Sequence, residues 1–307
     1  MDQCTWLRQN TRSLRGKTVV LTGATGGLGT ELSRGILFCG GTLILVARDS
    51  RKAESLAASL RREFPDAEIQ ILLADLSDIS AVETLAEALS RLPVDILIHN
   101  AGAYSIPRRT CSTGYDNVFQ INFVSPYYLT KRLLPLLKAR HGKVVAVGSI
   151  AHTYSKTDPD DIDFAGRSAC SLVYGNSKRY LMFALMGLLR HSGVRFAIAH
   201  PGITFTNITA HYPKLLFALI KNPMKVIFMK PACAARSILF GIFRQIPDGC
   251  WVGPRELDVW GAPAVRRLHT VSAEEQDRIF RTAEQIDAGL TGQKVQEMSS
   301  AESPSAL

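Results

Sequence analysis

The stretch TVVLTGATGGLG, residues 18–29, decides the fold of this chain. Its first four residues suit a strand, four glycines then mark a turn, and a helical pattern follows over residues 28–39. A glycine-rich turn between strand and helix lets the backbone approach a pyrophosphate, which the helix N-terminus attracts. Tight packing alone could also select glycine here. The position after the first strand favours dinucleotide binding.

Outward from this turn, short apolar runs alternate with amphipathic stretches. Runs rich in Val, Ile and Leu, separated by helical segments, indicate βαβ crossovers and a parallel sheet covered on both faces. We therefore expect an α/β fold: a single doubly wound Rossmann domain with a small substrate lid inserted after the sixth strand. The predicted strands are 18–21, 42–46, 69–73, 95–98, 143–147, 195–199 and a last one at 250–252. The predicted helices are 28–39, 51–63, 79–91, 115–139 and 172–191.

The domain accounts for most of the 307 residues. We expect an N-terminal segment over 1–16, the domain over 17–291 with its lid at about 203–247, and a polar tail over 292–307. Ser272 is predicted to cap the terminal helix, with Glu275 completing a capping box and Gly289 stopping it. A chain of this length buries enough surface to need no disulfide or metal staple.

The charge is distributed unevenly along the chain. Residues 164–247 contain no Asp or Glu but eleven Lys or Arg, so the formal net charge of +9 belongs to this segment. Residues 203–247 of this segment can be interpreted as a pair of lid helices that line the substrate pocket. A compatible reading is contact with an anionic membrane surface. No nucleic-acid module is recognisable, so we expect no nucleic-acid partner.

Other features bear on location and metal content. Six scattered cysteines without a CxxC pair are typical of reduced thiols in a cytosolic protein. The N-terminus lacks the apolar core of a secretory signal, and no window of eighteen residues is apolar without a charge. We therefore expect a cytoplasmic protein without a transmembrane helix, open to membrane association. The seven histidines show no HExxH spacing, and we expect no metal site.

The ends of the second and third strands bear on the type of cofactor. Arg48 stands where an NAD site usually has an acid, and a cation there suits the 2′-phosphate of NADP(H). We expect NADP(H) rather than NAD(H), the other reading being a solvated Arg48 beside Asp49. Asp75 could accept a hydrogen bond from the adenine amino group or cap the helix over 79–91, and the sequence leaves both readings open.

Tyr174 and Lys178 lie four residues apart and share one face of a predicted helix. A neighbouring ammonium favours the phenolate and brings the Tyr pKa toward the range for proton transfer. Such a pair arises by chance on many helices, but here it belongs to an ordered set at strand ends. The other members are Asn100-Ala101-Gly102, Asn122, Ser149 and Pro201-Gly202.

This ordered set, together with the glycine turn, resembles the short-chain dehydrogenase/reductase family over nearly the whole chain. The resemblance implies that Tyr174 is the general acid/base and that Lys178 lowers its pKa and holds the nicotinamide ribose. It implies further that Ser149 orients the carbonyl and that Asn122 supports a proton-relay water. His99 departs from the family pattern, where many members have Asn, and we expect it to adjust the loop beneath the cofactor.

The resemblance also implies a cofactor surface. In the family, the backbone after the sixth strand and a following Thr hold the nicotinamide carboxamide, which places Pro201, Gly202 and Thr206 there. The full set expected to contact the cofactor is Thr22, Gly23, Gly27, Leu28, Gly29, Arg48, Asp75, Leu76, Asn100, Ala101, Gly102, Tyr174, Lys178, Pro201, Gly202 and Thr206.

Several pieces resemble the branch of retinol dehydrogenases and NADPH-dependent carbonyl reductases. They are Arg48, Gly148-Ser149-Ile150-Ala151-His152, Gly253-Pro254, and a terminal helix followed by Leu290-Thr291-Gly292. This likeness implies an NADP(H)-dependent oxidoreductase that acts on the CH–OH group of an apolar small molecule, such as a steroid, retinoid or lipid aldehyde. Relatives often pair through the helices that bear Asn122 and Tyr174, so a homodimer is open as well.

Two other classes of protein are alternatives to this interpretation. A non-catalytic NADP-sensing or membrane-adaptor protein could use the same fold, but it would not need the complete set of Asn122, Ser149, Tyr174 and Lys178. A serine hydrolase built on Ser149 is excluded, because its nucleophile elbow requires glycine on both sides.

Overall fold

The computed structural model describes residues 2–203, 229–269 and 271–301, with side chains described as far as residue 292. Within these residues the strands are β1 (Thr18–Thr22), β2 (Thr42–Ala47), β3 (Ile69–Leu73), β4 (Val94–His99), β5 (Lys143–Val147), β6 (Arg195–Ala199), β7 (Cys250–Glu256) and β8 (Trp260–Arg267). They form one sheet in the order β3-β2-β1-β4-β5-β6-β7-β8. The first seven strands are parallel, and β8 runs antiparallel to β7.

Helices cover both faces of this sheet. The described helices are α1 (Gln3–Asn10), α2 (Gly27–Phe38), α3 (Ser50–Glu63), α4 (Ile79–Ser90), α5 (Asn117–Phe119), α6 (Ser125–Ala139), α7 (Cys170–Leu189), α8 (Pro231–Phe243) and α9 (Ala273–Ala301). One apolar cluster holds α1, α2, α3 and α8 against the sheet, and a second holds α4, α6, α7 and α9 against the other face. The doubly wound fold is therefore confirmed.

The strand predictions are confirmed to within one residue at each end of β1 to β6. In β1, β2, β4 and β5 nearly every residue is buried, so the apolar runs are continuous, and the partly exposed edge strand β3 keeps four apolar residues of five. The antiparallel strand β8 was missed, and the predicted last strand was too short. The turn between β7 and β8 uses Leu257 and Asp258 at φ of 53° and 57°, so no glycine signals it. Pro263 lies within β8, where an edge strand tolerates proline.

The terminal helix departs from its prediction in two ways. Ser272 caps α9 by accepting from the Glu275 N–H at 3.2 Å, but the Glu275 carboxylate bonds Thr157 and Arg179 instead of completing a capping box. The predicted stop at Gly289 is wrong, since α9 continues to Ala301. A Cβ at Gly289 would meet nothing within 4 Å, so this glycine lies on an open face of the helix.

The predicted lid is only partly described. Residues 204–228, which include Thr206, lie outside the described residues. The described part contains α8, which packs against α2 with Ile238 and Leu239 fully buried. The lid at about 203–247 stays a prediction. Among the described helices, none combines the length and the apolar character needed to cross a bilayer.

Candidate active site

A cavity of about 660 Å3 lies at the carboxyl ends of the parallel strands. It spans the point between β1 and β4 where the strand order reverses, which is where open α/β sheets bind their ligands. Loops after β1 to β6 form its walls. Of the residues predicted to contact a cofactor, all that are described line this cavity except Thr22. Ser149 lines it as well.

The glycine turn after β1 is shaped by two close approaches. Gly23 has a φ of +65°, and a Cβ there would lie 2.7 Å from the Cα of Ala101. A Cβ on Gly29 would lie 2.3 Å from the carbonyl oxygen of Gly23. Side chains are therefore excluded at both positions, and α2 packs directly against the turn.

Thr22 supports the cavity from behind. Its hydroxyl donates to the carbonyl of Ile98 at 3.2 Å and accepts from the N–H groups of Asn100 and Ala101 at 3.1 and 3.0 Å. The Asn100 amide nitrogen in turn donates to the carbonyls of Thr22 and Gly23 at 2.9 and 3.1 Å. Thr22 therefore fixes the loop after β4 against the loop after β1.

These loops fit a dinucleotide. Gly26 is the N-cap of α2 and offers no side-chain cap, so the first N–H groups of the helix are free to face an anion. The absence of side chains at Gly26 and Gly27 leaves room for a pyrophosphate beside them. The Oδ1 atom of Asn100 is buried and has no partner in the described part of the chain, which leaves an acceptor for a bound ligand.

Arg48 and Asp75 lie on the wall expected to meet the adenosine end. Arg48 is exposed and, within the described ranges, forms no ion pair, while Asp49 caps α3 through the Lys52 N–H at 3.0 Å. Asp75 accepts from the N–H and hydroxyl of Ser77 at 2.9 and 2.8 Å. The cap of α4 is Asp78, so the cap reading of Asp75 is wrong.

Tyr174, Ser149 and Lys178 converge on the opposite end of the cavity. Helix α7 carries Tyr174 and Lys178 on one face, and the Lys178 Nζ lies 5.8 Å from the centre of the Tyr174 ring. Lys178 is buried and donates to the carbonyl of Val147 at 2.9 Å. The Ser149 hydroxyl accepts from the Ala151 N–H at 3.2 Å.

Burial sets the charge state of this group. It raises the pKa of Tyr174 to about 12, although the hydrogen bond from Ser149 opposes the rise. It lowers the pKa of Lys178 to about 8. The phenol is therefore in its acid form near neutral pH, able to donate a proton, and the ammonium beside it can stabilise the phenolate that results.

Asn122 is buried behind the cavity rather than on its wall. A π-helical turn over Gln120–Val124 presents it. Its Oδ1 accepts from the Ala103 N–H at 2.7 Å, and its Nδ2 donates to the Ala103 carbonyl at 2.8 Å and to Ser177 at 2.9 Å. The side chain thus holds the segment after Asn100-Ala101-Gly102 against α7, and the predicted role with a water stays a prediction.

Other positions complete the site or stay outside it. His99 is buried and bonds Thr130 at 2.6 Å, away from the cavity wall. Sequence reasoning missed Tyr104, whose ring packs edge-on against Tyr174 with centroids 5.2 Å apart. Its place directly after the Asn-Ala-Gly turn was the one available signal. It also missed His200, which lines the cavity and stacks on Trp251 at 5.2 Å.

The chain matches known proteins over this same region. The model of the short chain dehydrogenase family matches residues 17–214. Mouse retinol dehydrogenase 12 is 32% identical over 200 residues, which cover 63% of each chain. Human retinol dehydrogenase 14 is 30% identical over 248 residues, which cover 74% of each chain. The chain spans slightly less than two thirds of the length of several curated relatives, the mouse protein among them.

Solved structures share the fold. An uncharacterized protein from Mycobacterium paratuberculosis superposes with a TM-score of 0.73 at 26% identity, covering 91% of this chain and 96% of its own. The 3-oxoacyl (acyl-carrier-protein) reductase of Agrobacterium tumefaciens, solved with NADP bound, gives a TM-score of 0.61 at 22% identity, covering 79% of this chain and 92% of its own. The chain thus belongs to the short-chain dehydrogenase family of oxidoreductases, near its retinol dehydrogenase branch.

Proposed function

We propose that the protein transfers hydride between NADP(H) and a hydrophobic alcohol or carbonyl compound of the steroid, retinoid or lipid aldehyde class. The observation that carries this proposal is the convergence of Tyr174, Ser149 and Lys178 at one end of a cavity whose other end meets an uncapped helix N-terminus. A non-catalytic adaptor would need the helix N-terminus to bind the cofactor, but not the three converging side chains.

The reaction follows from what these side chains can do. NADP(H), when bound, supplies or accepts the hydride. The Ser149 hydroxyl accepts from the Ala151 N–H, which leaves its own proton to be donated, either to the Tyr174 hydroxyl or to a substrate oxygen. Tyr174 donates its proton to the same oxygen during reduction, and Lys178 stabilises the phenolate that remains. In oxidation, the phenolate takes the proton back from the alcohol.

The preference for NADP(H) rests on Arg48. Its guanidinium lies on the cavity wall directly after β2, free of any ion pair among the described residues, and no acid occupies the position that would hold a ribose 2′-hydroxyl. A 2′-phosphate would gain a charge-assisted hydrogen bond there, worth about 1.5–3 kcal/mol, or about one to two orders of magnitude in affinity.

The substrate class rests on the side chains around the catalytic end of the cavity. They are mostly apolar or aromatic: Tyr104, Ile106, Ile150, Tyr154 and Ile203. Such a lining favours a substrate with one polar oxygen on an apolar body. A cytoplasmic location, and contact of the basic segment over 203–247 with an anionic membrane, belong to the same proposal.

Cofactor titration tests the proposal first. NADPH and NADH are titrated into the wild type, Arg48→Ala and the control Arg51→Ala, which removes an exposed arginine from α3 outside the cavity. We expect tight NADPH binding that weakens at least about tenfold in Arg48→Ala alone. Retinoid, steroid and lipid aldehydes are then screened with NADPH. A preference for NADH would overturn the role of Arg48, and binding without turnover of any carbonyl would favour the adaptor.

A further inference from the structure

The segment that follows Ser149 is fastened to the C-terminal helix through a buried histidine. His152 is fully buried, with its ring between Trp251 and Phe183. Its Nδ1 lies 2.6 Å from the Ser149 carbonyl oxygen, and its Nε2 lies 3.0 Å from the His269 carbonyl oxygen. The ring therefore lies between the catalytic serine and the stretch that leads into α9.

A buried ion pair reinforces this connection. Arg179, the neighbour of Lys178 on α7, donates through Nη1 to the His152 carbonyl at 2.7 Å. Its Nε and Nη2 donate to the Glu275 carboxylate at 2.9 and 2.8 Å, with both side chains about one tenth exposed. Glu275, in the first turn of α9, also accepts from the N–H and hydroxyl of Thr157. The segment over 150–157 is thus bonded to α9 through Thr157, and His152 connects it to Arg179, whose guanidinium pairs with Glu275.

At neutral pH the His152 ring can donate a hydrogen bond to only one of the two carbonyl oxygens beside it, those of Ser149 and His269. Both are carbonyl oxygens, which only accept hydrogen bonds, and a neutral imidazole has a single N–H. Burial lowers the pKa of His152, so the ring is neutral in the folded protein. The shorter contact, from Nδ1 to Ser149, takes the proton.

We propose that His152, held by Arg179 and Glu275, is a positioning residue that fixes the catalytic serine from the C-terminal helix. The Nδ1–H of His152 and its backbone N–H, at 3.1 Å, both bond the Ser149 carbonyl and so fix the peptide that follows this residue. The next N–H along the chain after that peptide belongs to Ala151, and it donates a hydrogen bond to the Ser149 hydroxyl. His269 and Glu275 lie beyond residue 214, where the match to the family model ends. This inference rests on the proposed function.

Two substitutions at one position separate the two contacts of the ring. The amide nitrogen of Asn reaches about as far as Nδ1 of histidine, and that of Gln about as far as Nε2. His152→Asn therefore keeps a donor at the Ser149 carbonyl, whereas His152→Gln removes it and places its donor at the His269 carbonyl instead. Each variant is measured for kcat and KM toward a carbonyl substrate at saturating NADPH, for the Kd of NADPH, and for its thermal midpoint.

We expect His152→Asn to keep kcat within about threefold and His152→Gln to lose about tenfold or more, with NADPH affinity within about twofold in both. Equal kcat in the two variants would overturn the inference, since a merely structural histidine would lower their thermal midpoints without separating their rates. Should the wild type reduce no carbonyl, hydrogen exchange at the Ala151 amide decides. Faster exchange in His152→Gln than in His152→Asn supports the inference even then, and equal exchange refutes it.

Discussion

Replacing Thr22 by valine should damage both stability and cofactor binding, although this side chain does not reach the cavity. Valine has nearly the shape of threonine and lacks only the hydroxyl. In Thr22→Val the Ala101 N–H loses its acceptor, and the Asn100 N–H keeps only the Ile98 carbonyl, at 3.1 Å. Because Thr22 is 1% exposed, water cannot take the place of the hydroxyl.

The size of the effect follows from these bonds. A buried donor left without an acceptor costs about 1–3 kcal/mol, and the weakened second bond adds about 0.5–1 kcal/mol. We therefore expect the free energy of unfolding to fall by about 1.5–4 kcal/mol, a large part of the roughly 5–15 kcal/mol of a typical domain. Urea unfolding followed by tryptophan fluorescence measures it, since Trp6 and Trp251 are both buried.

Thr22→Ser is the matched control, because it keeps the hydroxyl and removes only a methyl group. We expect this variant to stay within about 1 kcal/mol of the wild type and to bind NADPH normally, while Thr22→Val binds it about fivefold or more weakly. A Thr22→Val protein as stable as the wild type, with unchanged NADPH affinity, would refute the reasoning.

Three further outcomes are expected. Gly29→Ala should abolish NADPH binding in a titration, because its Cβ would lie 2.3 Å from the Gly23 carbonyl oxygen. In the control Gly289→Ala the Cβ meets nothing within 4 Å, so this variant should raise the free energy of unfolding by up to about 1 kcal/mol. Burial lowers the pKa values of His99 and His200 to about 3 and about 4. When the pH falls from 8 to 5, the unfolded chain therefore gains about two protons that the folded chain does not. The free energy of unfolding should then fall by about 2 kcal/mol for each histidine. Calorimetry in buffers of different ionisation enthalpy checks this, and an uptake near zero at pH 5 would contradict it. Light scattering should show a monomer, because α9 packs across α7 with Phe280 against Gly187 and covers one of the helices through which relatives pair; a stable dimer would argue against this role of α9.

Much of the fold could be predicted from the sequence because the interior strands bury both faces. Apolar runs mark β1 to β6 closely, including the partly exposed edge strand β3, and Gly23 and Gly29 mark the turn that shapes the cavity. The hairpin of β7 and β8 could not be found in this way. Strand β8 lies at the edge of the sheet, and Leu257 and Asp258 rather than glycine adopt the left-handed conformation in the turn before it.

The site was predictable where chemistry follows local spacing and unpredictable where contacts are long-range. Tyr174 and Lys178 can be recognised from their spacing of four residues on one helix. The bond between Arg179 and Glu275 joins residues 96 positions apart, and no local pattern indicates it. Asn122 is a second example. The sequence predicts an amide at the site, but it does not predict that this amide forms its hydrogen bonds with Ala103 and Ser177.

The most direct test of the proposed reaction is to replace Tyr174 by phenylalanine. The ring would keep its edge-on packing against Tyr104 and lose only the proton that it donates. We predict an NADPH Kd within about twofold of the wild type and a fall in kcat for a hydrophobic aldehyde of about 10²- to 10⁴-fold, the range of general acid catalysis. A Tyr174→Phe protein that reduces the aldehyde at the wild-type rate would contradict the account.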